Sequence, residues 1–371
     1  MKIMHLRSSG GFFGAEGVIL NLARELERSG TYNLIACIDN AKNSHVELVE
    51  EAHKLNLKTA SINCRRRLDI GTMRNIRRLI KEHNIGILHC HDYKSDFYGF
   101  LAAAFLNVKL ITTNHLWTKE TGLLRMYEFL DSVLVNFFDK IVAVSDEITS
   151  EMVKKPWLNR RKVITIYNGI STDKFYADSP EKAKNRLNLS PSSNIIGFVG
   201  RLSSQKGLEF LLETAKHIVK DVPDTNFLIV GKGDLDDKLK HKVIELGLHD
   251  KVIFTGEKRD LTDVYSAMDV FVLPSVREGT PLVILEALAM GKPIVATDVG
   301  GVSKIMKSSM AGILVKPKDV DGLTKAIMFM LQNKEEASVF SSRGRSFVES
   351  RFSAKRMAEQ YREVYEHLIY N

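Results

Sequence analysis

Two glutamates, Glu278 and Glu286, stand with seven residues between them at the opening of an apolar run. Leu273 ends a strand-like stretch, and Glu278 leaves the loop that follows it. Thr280 is suited to cap a helix and Pro281 to sit in its first turn. Gly279, in the same loop, is a candidate substrate contact. The N–H groups of Leu282 and Val283 would then open onto solvent at the positive end of a helix dipole, which is a ready anion site. Carboxylates beside such a site can accept hydrogen bonds from sugar hydroxyls. The plainer alternative is a pair of surface glutamates favoured by the dipole. Glu286 lies between Leu285 and Ala287, and an acid in that setting is expected to face a partner.

A second cluster, Gly200, Arg201, Leu202, Lys206 and Gly207, follows another strand-like run, Gly197–Val199. Gly200 lets backbone approach a ligand closely. Arg201 offers a planar fork of donors and Lys206 a compact charge, a pair suited to a diphosphate. Solvated cations at a strand-end turn are the alternative. Gly231 and Gly233 form a further turn, as do Thr297 to Gly301, and both shape walls rather than chemistry. In the first half, the loop from Ser9 to Glu16 carries Gly11 and Gly14, either of which can admit phosphate or acceptor. His91 and His115 end two strands and are candidate proton or hydroxyl partners, with a structural role open for both. His89, Cys90, His91 and Asp92 also resemble a metal cluster. Strand alternation, however, places His89 and His91 on one face and Cys90 on the other, so no metal site is assigned.

These loops need strands and helices to hold them. Lys2–Leu6, Leu34–Ile38, Gly86–Cys90, Lys109–Thr113 and Lys140–Val144 read as buried strands, with helical spacing between them, as in Gly17–Glu27. The pattern restarts with strands at Asn194–Val199, Asn226–Val230, Lys251–Thr255, Val270–Leu273 and Pro293–Thr297. Strand–helix alternation predicts parallel sheets covered by helices, an α/β fold of two doubly wound, Rossmann-like domains facing across a cleft. Residues 1–175 are assigned to the first domain, 190–350 to the second, and 351–371 to a last helix expected to return to the first. The polar segment from Asp173 to Ser193 is read as the linker. Ligands of such folds bind outside the carboxyl ends of the strands, where the candidate residues lie.

The 371 residues are 44% hydrophobic and 26% charged, as in ordinary globular proteins. Cys37, Cys64 and Cys90 are isolated and form no CxxC pair, so no zinc knuckle or redox motif is readable. The N-terminal apolar run is too short for a signal peptide, and no stretch has the length to span a bilayer. A cytoplasmic location is expected. The formal net charge of +8 suggests a polyanionic partner without naming it.

Together these motifs resemble family 4 of the glycosyltransferases, which has the GT-B architecture. The resemblance rests on the spaced Glu278 and Glu286, on Gly200-Arg201-Leu202 with Lys206-Gly207, and on Tyr167-Asn168-Gly169-Ile170 followed by Phe175. Val142 to Ser145 and Ala296 to Gly301 match as well, in family order along most of the chain. It implies retaining transfer from a nucleotide-sugar, without a required metal or other cofactor. By that resemblance Arg201 and Lys206 hold the diphosphate, Glu286 the ribose and Glu278 the donor sugar. His115 faces the reacting sugar, and the base lies against the turn around Gly256. Three departures stand out. Gly279-Thr280-Pro281 replaces the commoner aromatic-glycine form. Ser303-Lys304 stands where many members carry Pro-Glu. The first loop carries extra residues, leaving Gly11 and Gly14 both candidates for the phosphate-side glycine.

The acceptor expected by family frequency is a glycan or lipid-linked glycan, and the donor a UDP-sugar in preference to a GDP-sugar. Between Lys54 and Lys81 lie nine cations against the single acid Asp69. Arg65, Arg66, Arg67, Arg74, Arg77 and Arg78 suit either a solvated face or an anionic membrane carrying such an acceptor, as a peripheral protein would meet. No nucleic-acid module accompanies them. The rivals are a nucleotide-sugar epimerase, a non-catalytic nucleotide-sugar-binding protein of the same fold, and, more remotely, a dinucleotide-dependent dehydrogenase lacking a clean GxGxxG.

Overall fold

A computed structural model describes residues 1–8, 11, 14–40, 47–66, 68–114, 123–173, 179–258, 260–279 and 281–370. The chain forms two compact units. The first is Met1–Ile170 with Ala354–Asn371, the second Ser171–Ser353.

The first unit runs β1 (Lys2–Ser8), α1 (Gly14–Arg28), β2 (Tyr32–Asn40), α2 (Glu47–Lys54), β3 (Lys58–Cys64), α3 (Ile70–Glu82) and β4 (Ile87–Cys90). It continues through α4 (Tyr93–Ala103), β5 (Lys109–Asn114), α5 (Leu123–Leu134), β6 (Lys140–Ala143), α6 (Asp146–Val153) and β7 (Val163–Thr165). The strands form one parallel sheet in the order β3-β2-β1-β4-β5-β6-β7. The second unit holds α7 (Pro180–Arg186), β8 (Asn194–Val199), α8 (Leu208–Asp221), β9 (Thr225–Val230), α9 (Asp236–Glu245), β10 (Val252–Gly256) and α10 (Thr262–Ala267). It ends with β11 (Val270–Leu273), α11 (Leu282–Ala289), β12 (Ile294–Thr297), α12 (Gly300–Ser309), β13 (Gly312–Val315), α13 (Val320–Gln332) and α14 (Lys334–Arg351). Its parallel sheet has the order β10-β9-β8-β11-β12-β13. The last helix, α15 (Ala354–Tyr370), packs on α1 in the first unit.

Both sheets are α/β and doubly wound. In the first the strand order reverses between β1 and β4, in the second between β8 and β11. Central strands such as Val270–Leu273 and Ile294–Thr297 are buried at every residue, as strands covered on both faces must be. Local signals start the helices. Asp69 caps α3 by accepting from the N–H groups of Gly71 and Thr72, and Asp92 forms a capping box with Ser95 at the start of α4.

Several expected boundaries move. β3 joins the first sheet at its edge in a stretch with no apolar run, and β7 and β13 extend the two sheets outward. The segment read as a linker carries α7, which packs on α10. Its buried Lys184 donates to the Ser193 carbonyl at 2.8 Å and to Asp269 at 3.1 Å, which ties the segment to the second unit. The helix after Glu278 begins at Leu282. Pro281 takes the cap position in extended backbone, with φ −74° and ψ 124°, instead of the first turn.

Candidate active site

In the second unit, the carboxyl ends of β8 and β11 bring two of the expected residues into contact. Lys206 Nζ lies 2.5 Å from Glu278 Oε1, and Ser275 Oγ donates to the same oxygen at 2.7 Å. Ser275 is held in turn, because its carbonyl accepts from the Thr297 hydroxyl at the end of β12. Three adjacent parallel strands, β8, β11 and β12, therefore converge on one carboxylate.

Glycines permit the close approach of these loops. Gly207 adopts φ 63° directly after Lys206, and a Cβ there would stand 2.2 Å from the Pro274 carbonyl oxygen. Gly300, with φ 46°, lies so close to Glu278 that a Cβ would come within 2.0 Å of its carbonyl oxygen. Gly301 N–H donates to the Gly279 carbonyl at 3.0 Å. Only glycine meets both the left-handed backbone and the missing space.

Glu286 has its partner inside the same unit. The hydroxyl of the fully buried Tyr265, on α10, donates to Glu286 Oε2 at 2.8 Å and also reaches the Val283 carbonyl at 3.3 Å. Desolvation raises the Glu286 carboxyl above the usual carboxylate range, and the Tyr265 hydrogen bond pulls it partly back. Arg201, after Gly200, is exposed and pairs with Asp234 at 3.2 Å. Gly200 N–H donates to the Val230 carbonyl and Gly231 N–H to the Gly256 carbonyl, which joins the turns after β8, β9 and β10. Pro281 is buried, and Leu282 and Val283 are half-buried. Thr280 lies outside the described residues, as does Arg259.

In the first unit, the ends of β1 and β4 are joined by Asp92. Its carboxylate accepts from Ser8 N–H at 2.7 Å and Ser8 Oγ at 3.0 Å, besides capping α4. Arg7 donates to the buried Glu16 at 2.8 Å and to the His91 carbonyl at 2.6 Å. Gly11 is buried and Gly14, the first residue of α1, is exposed. Arg7, Glu16, Ser275 and Tyr265 are site residues that the sequence reading does not name as such, and Asp92, named there only within a metal-like cluster, serves here as a cap and strand clamp. An arginine in a strand opposite an acid early in the next helix was the available signal for Arg7 and Glu16.

His91 sits in a buried histidine cluster. His5 faces His89 across the β1–β4 ladder, the rings of His89 and His91 are 4.0 Å apart, and His5 Nδ1 lies 3.2 Å from His91 Nε2. The nitrogens of His5, His89 and His91 could meet around one ion, since their ligating atoms lie within 4.8 Å of one another. Hydrogen bonding supplies another account of the arrangement. Asn33 Nδ2 donates to the Ala23 and Thr31 carbonyls, so its Oδ1 faces His5 Nε2 at 3.3 Å as an acceptor. His5 therefore carries its proton on Nε2, and burial pushes its pKa down to about 4, which keeps it neutral. Its Nδ1 then accepts from His91 Nε2–H. His89 bonds the Tyr365 hydroxyl and the Thr113 hydroxyl, each at 2.7 Å. His115 lies outside the described residues.

The basic stretch is divided in its roles. Arg65, Arg66, Arg74 and Arg78 are exposed, whereas Arg77 is half-buried and donates to the Ala102 and Ala104 carbonyls at the end of α4. Arg77 is thus engaged with a helix terminus. Arg67 lies outside the described residues. Among the described residues no helix is long and apolar enough to cross a membrane.

Two units, each built on a parallel doubly wound sheet, define an architecture of the GT-B type. HepE from Anabaena, solved in complex with UDP, superposes with a TM-score of 0.85 at 20% identity over 99% of this chain and all of that one. Residues 13–174 match the model for Glycosyltransferase Family 4, and residues 179–347 that for Glycosyl transferases group 1. The chain belongs to family 4 of the glycosyltransferases, the group 1 enzymes. Among its relatives is the UDP-Gal:alpha-D-GlcNAc-diphosphoundecaprenol alpha-1,3-galactosyltransferase of Escherichia coli. It is 27% identical over 316 residues, which span 82% of this chain and 81% of the relative. The lipopolysaccharide core biosynthesis mannosyltransferase LpsB of Rhizobium meliloti is 30% identical over 212 residues, 55% of this chain and 60% of LpsB.

Proposed function

We propose that this glycosyltransferase moves a hexose-type sugar, with retention of its anomeric configuration, from a UDP-sugar to a glycan or lipid-linked acceptor in cell-surface polysaccharide or glycolipid synthesis. The observation that carries this reading is the contact of Lys206 with Glu278 at the carboxyl ends of β8 and β11, where an open α/β sheet binds ligands. Cleavage of the anomeric bond leaves negative charge on the departing diphosphate. Lys206, Arg201 and the first N–H groups of α11, from Leu282 and Val283, stabilise that charge as it develops. Glu278, with its Ser275 hydrogen bond, accepts from donor-sugar hydroxyls, and Glu286 from the ribose. The family resemblance assigns His115 to the reacting sugar. Gly11 or Gly14 stands by the phosphate, His91 backs the acceptor side, and Gly256 borders the base. No metal or cofactor is assigned a role.

The UDP choice is supported by HepE, solved with UDP and with UDP-glucose, and by the UDP-galactose named for the Escherichia coli enzyme. The diphosphoundecaprenol in that name supports a lipid-linked acceptor. A protein working on such an acceptor meets the inner face of a membrane, which suits the exposed cations around α3. Proton NMR of the purified product tests the stereochemistry. The donor's anomeric configuration should reappear in the product, and an inverted linkage would overturn the retaining assignment.

A further inference from the structure

Over residues 126–134, whose side chains the structure describes, helix α5 turns polar residues inward and apolar ones outward. Its buried residues include Asp131 and Ser132, while Met126, Phe129, Leu130 and Val133 are exposed. These four recur at the three- and four-residue spacing of one helix face. A water-facing helix distributes its residues the other way. Phe137, 66% exposed in the turn that follows, extends the stripe.

Neighbouring segments widen it. Trp157, 45% exposed, meets Phe129 edge to face at 5.2 Å, and its indole N–H donates to Ser132 Oγ at 2.9 Å. The ring of Phe137 lies 5.4 Å from that of Phe100 of α4, and Leu101 of the same helix and Phe105 just beyond it are exposed. Phe105 has a left-handed φ of 61°, an uncommon backbone for an aromatic side chain facing solvent. Exposed apolar residues grouped on one helix face in this way mark a partner surface more often than singly scattered ones do.

Cations border the patch on both sides. The segment from Lys154 to Lys162 contains Lys154, Lys155, Arg160, Arg161 and Lys162 around Trp157, with no acid among its residues. Lys154, Arg160 and Arg161 are exposed, and Lys162 ties this segment to the Phe138 carbonyl at 2.7 Å. On the other side Arg77 joins α3, which carries the exposed Arg74, Arg78 and Lys81, to the Ala102 and Ala104 carbonyls just before Phe105.

We propose that the face formed by Met126, Phe129, Leu130, Val133, Phe137 and Trp157 is a membrane-binding surface, which seats in the interface of an anionic phospholipid bilayer. Apolar side chains enter the acyl boundary, Trp157 lies at headgroup level, and the bordering cations meet the phosphates. A second copy of this chain fits less well, since a two-fold contact would oppose the two cationic borders. This surface deepens the membrane reading of the α3 cations, on which it rests, by naming what inserts.

Flotation of the full chain with vesicles of phosphatidylglycerol and phosphatidylcholine, and with phosphatidylcholine alone, provides the test. The variants are F129S/L130S/W157S and, separately, R74E/R78E, each checked for native circular dichroism. The wild type should float with the anionic vesicles, and the triple variant should bind them at least about tenfold more weakly. Failure of the wild type to bind overturns both this surface and the α3 reading. Weakened binding in R74E/R78E with an unaffected triple variant overturns the apolar surface alone. A wild-type dimer in sedimentation that the triple variant abolishes also overturns it.

Discussion

The ammonium of Lys206 and the carboxylate of Glu278 share a contact of 2.5 Å, although 72 positions separate them in the chain. Both side chains are largely buried, and the carboxylate is braced by Ser275. Each group thus fixes the other at the strand ends where the diphosphate and donor sugar are proposed to lie. Replacing Lys206 with Ala should lower kcat/KM by about 10²–10³-fold, the usual effect of deleting one preorganised charge-stabilising donor. Steady-state kinetics with the preferred donor checks this.

Tyr265 supports Glu286 in the same way. Tyr265→Phe removes the hydroxyl that Glu286 accepts from and leaves a desolvated carboxylate less satisfied. Stability should fall by about 1–3 kcal/mol, measured by urea unfolding. The pH dependence has a definite sign. A carboxyl raised in the folded state contributes stability at low pH that is lost as pH rises through the folded value. Tyr265→Phe should move that loss to higher pH, because the hydrogen bond it deletes lowers the Glu286 value.

Much of this was legible in the sequence, for physical reasons. Strands buried on both faces must be continuous apolar runs, so Asn194–Val199 and Val270–Leu273 are found at their expected bounds. β3 escaped because an edge strand needs few apolar residues, and Lys58 to Cys64 reads as polar. An acid flanked by Leu285 and Ala287 announced that Glu286 has a partner. Nothing local named Tyr265, whose contact depends on how α10 packs. The histidine tautomers were equally hidden, since Asn33 fixes them from another strand.

The carboxyls of Asp96 and Asp131 form a buried pair between α4 and α5, and burial pushes Asp131 up to about 7 and Asp96 well above its usual range. Each retains an oxygen with no hydrogen-bond partner. Both shifts are upward, so the pair stabilises the fold while protonated and ceases to do so as pH rises through about 7. The melting temperature should therefore fall from about pH 4, the ordinary carboxylate value, towards about pH 7, and Asp131→Asn should flatten the slope. Differential scanning calorimetry across that range decides it.

Helix α15 is fastened to the first sheet by two buried hydroxyls, Tyr365 to His89 at 2.7 Å and Tyr361 to Thr113 at 2.8 Å. Tyr365→Phe leaves a buried ring nitrogen without that bond and should cost about 1–3 kcal/mol. Denaturant titration, with hydrogen exchange on residues 354–370, should report the loss first in α15.

The central claim is transfer from a nucleotide-sugar through the Lys206 and Glu278 site. It is tested most directly by nucleotide release from a panel of UDP-, GDP- and ADP-sugars, with and without a crude lipid acceptor, for wild type and Lys206→Ala. Acceptor-stimulated release of UDP from one UDP-sugar, lowered about 10²–10³-fold in the variant, is the predicted result. Release that ignores the acceptor, or that survives intact in Lys206→Ala, would contradict it.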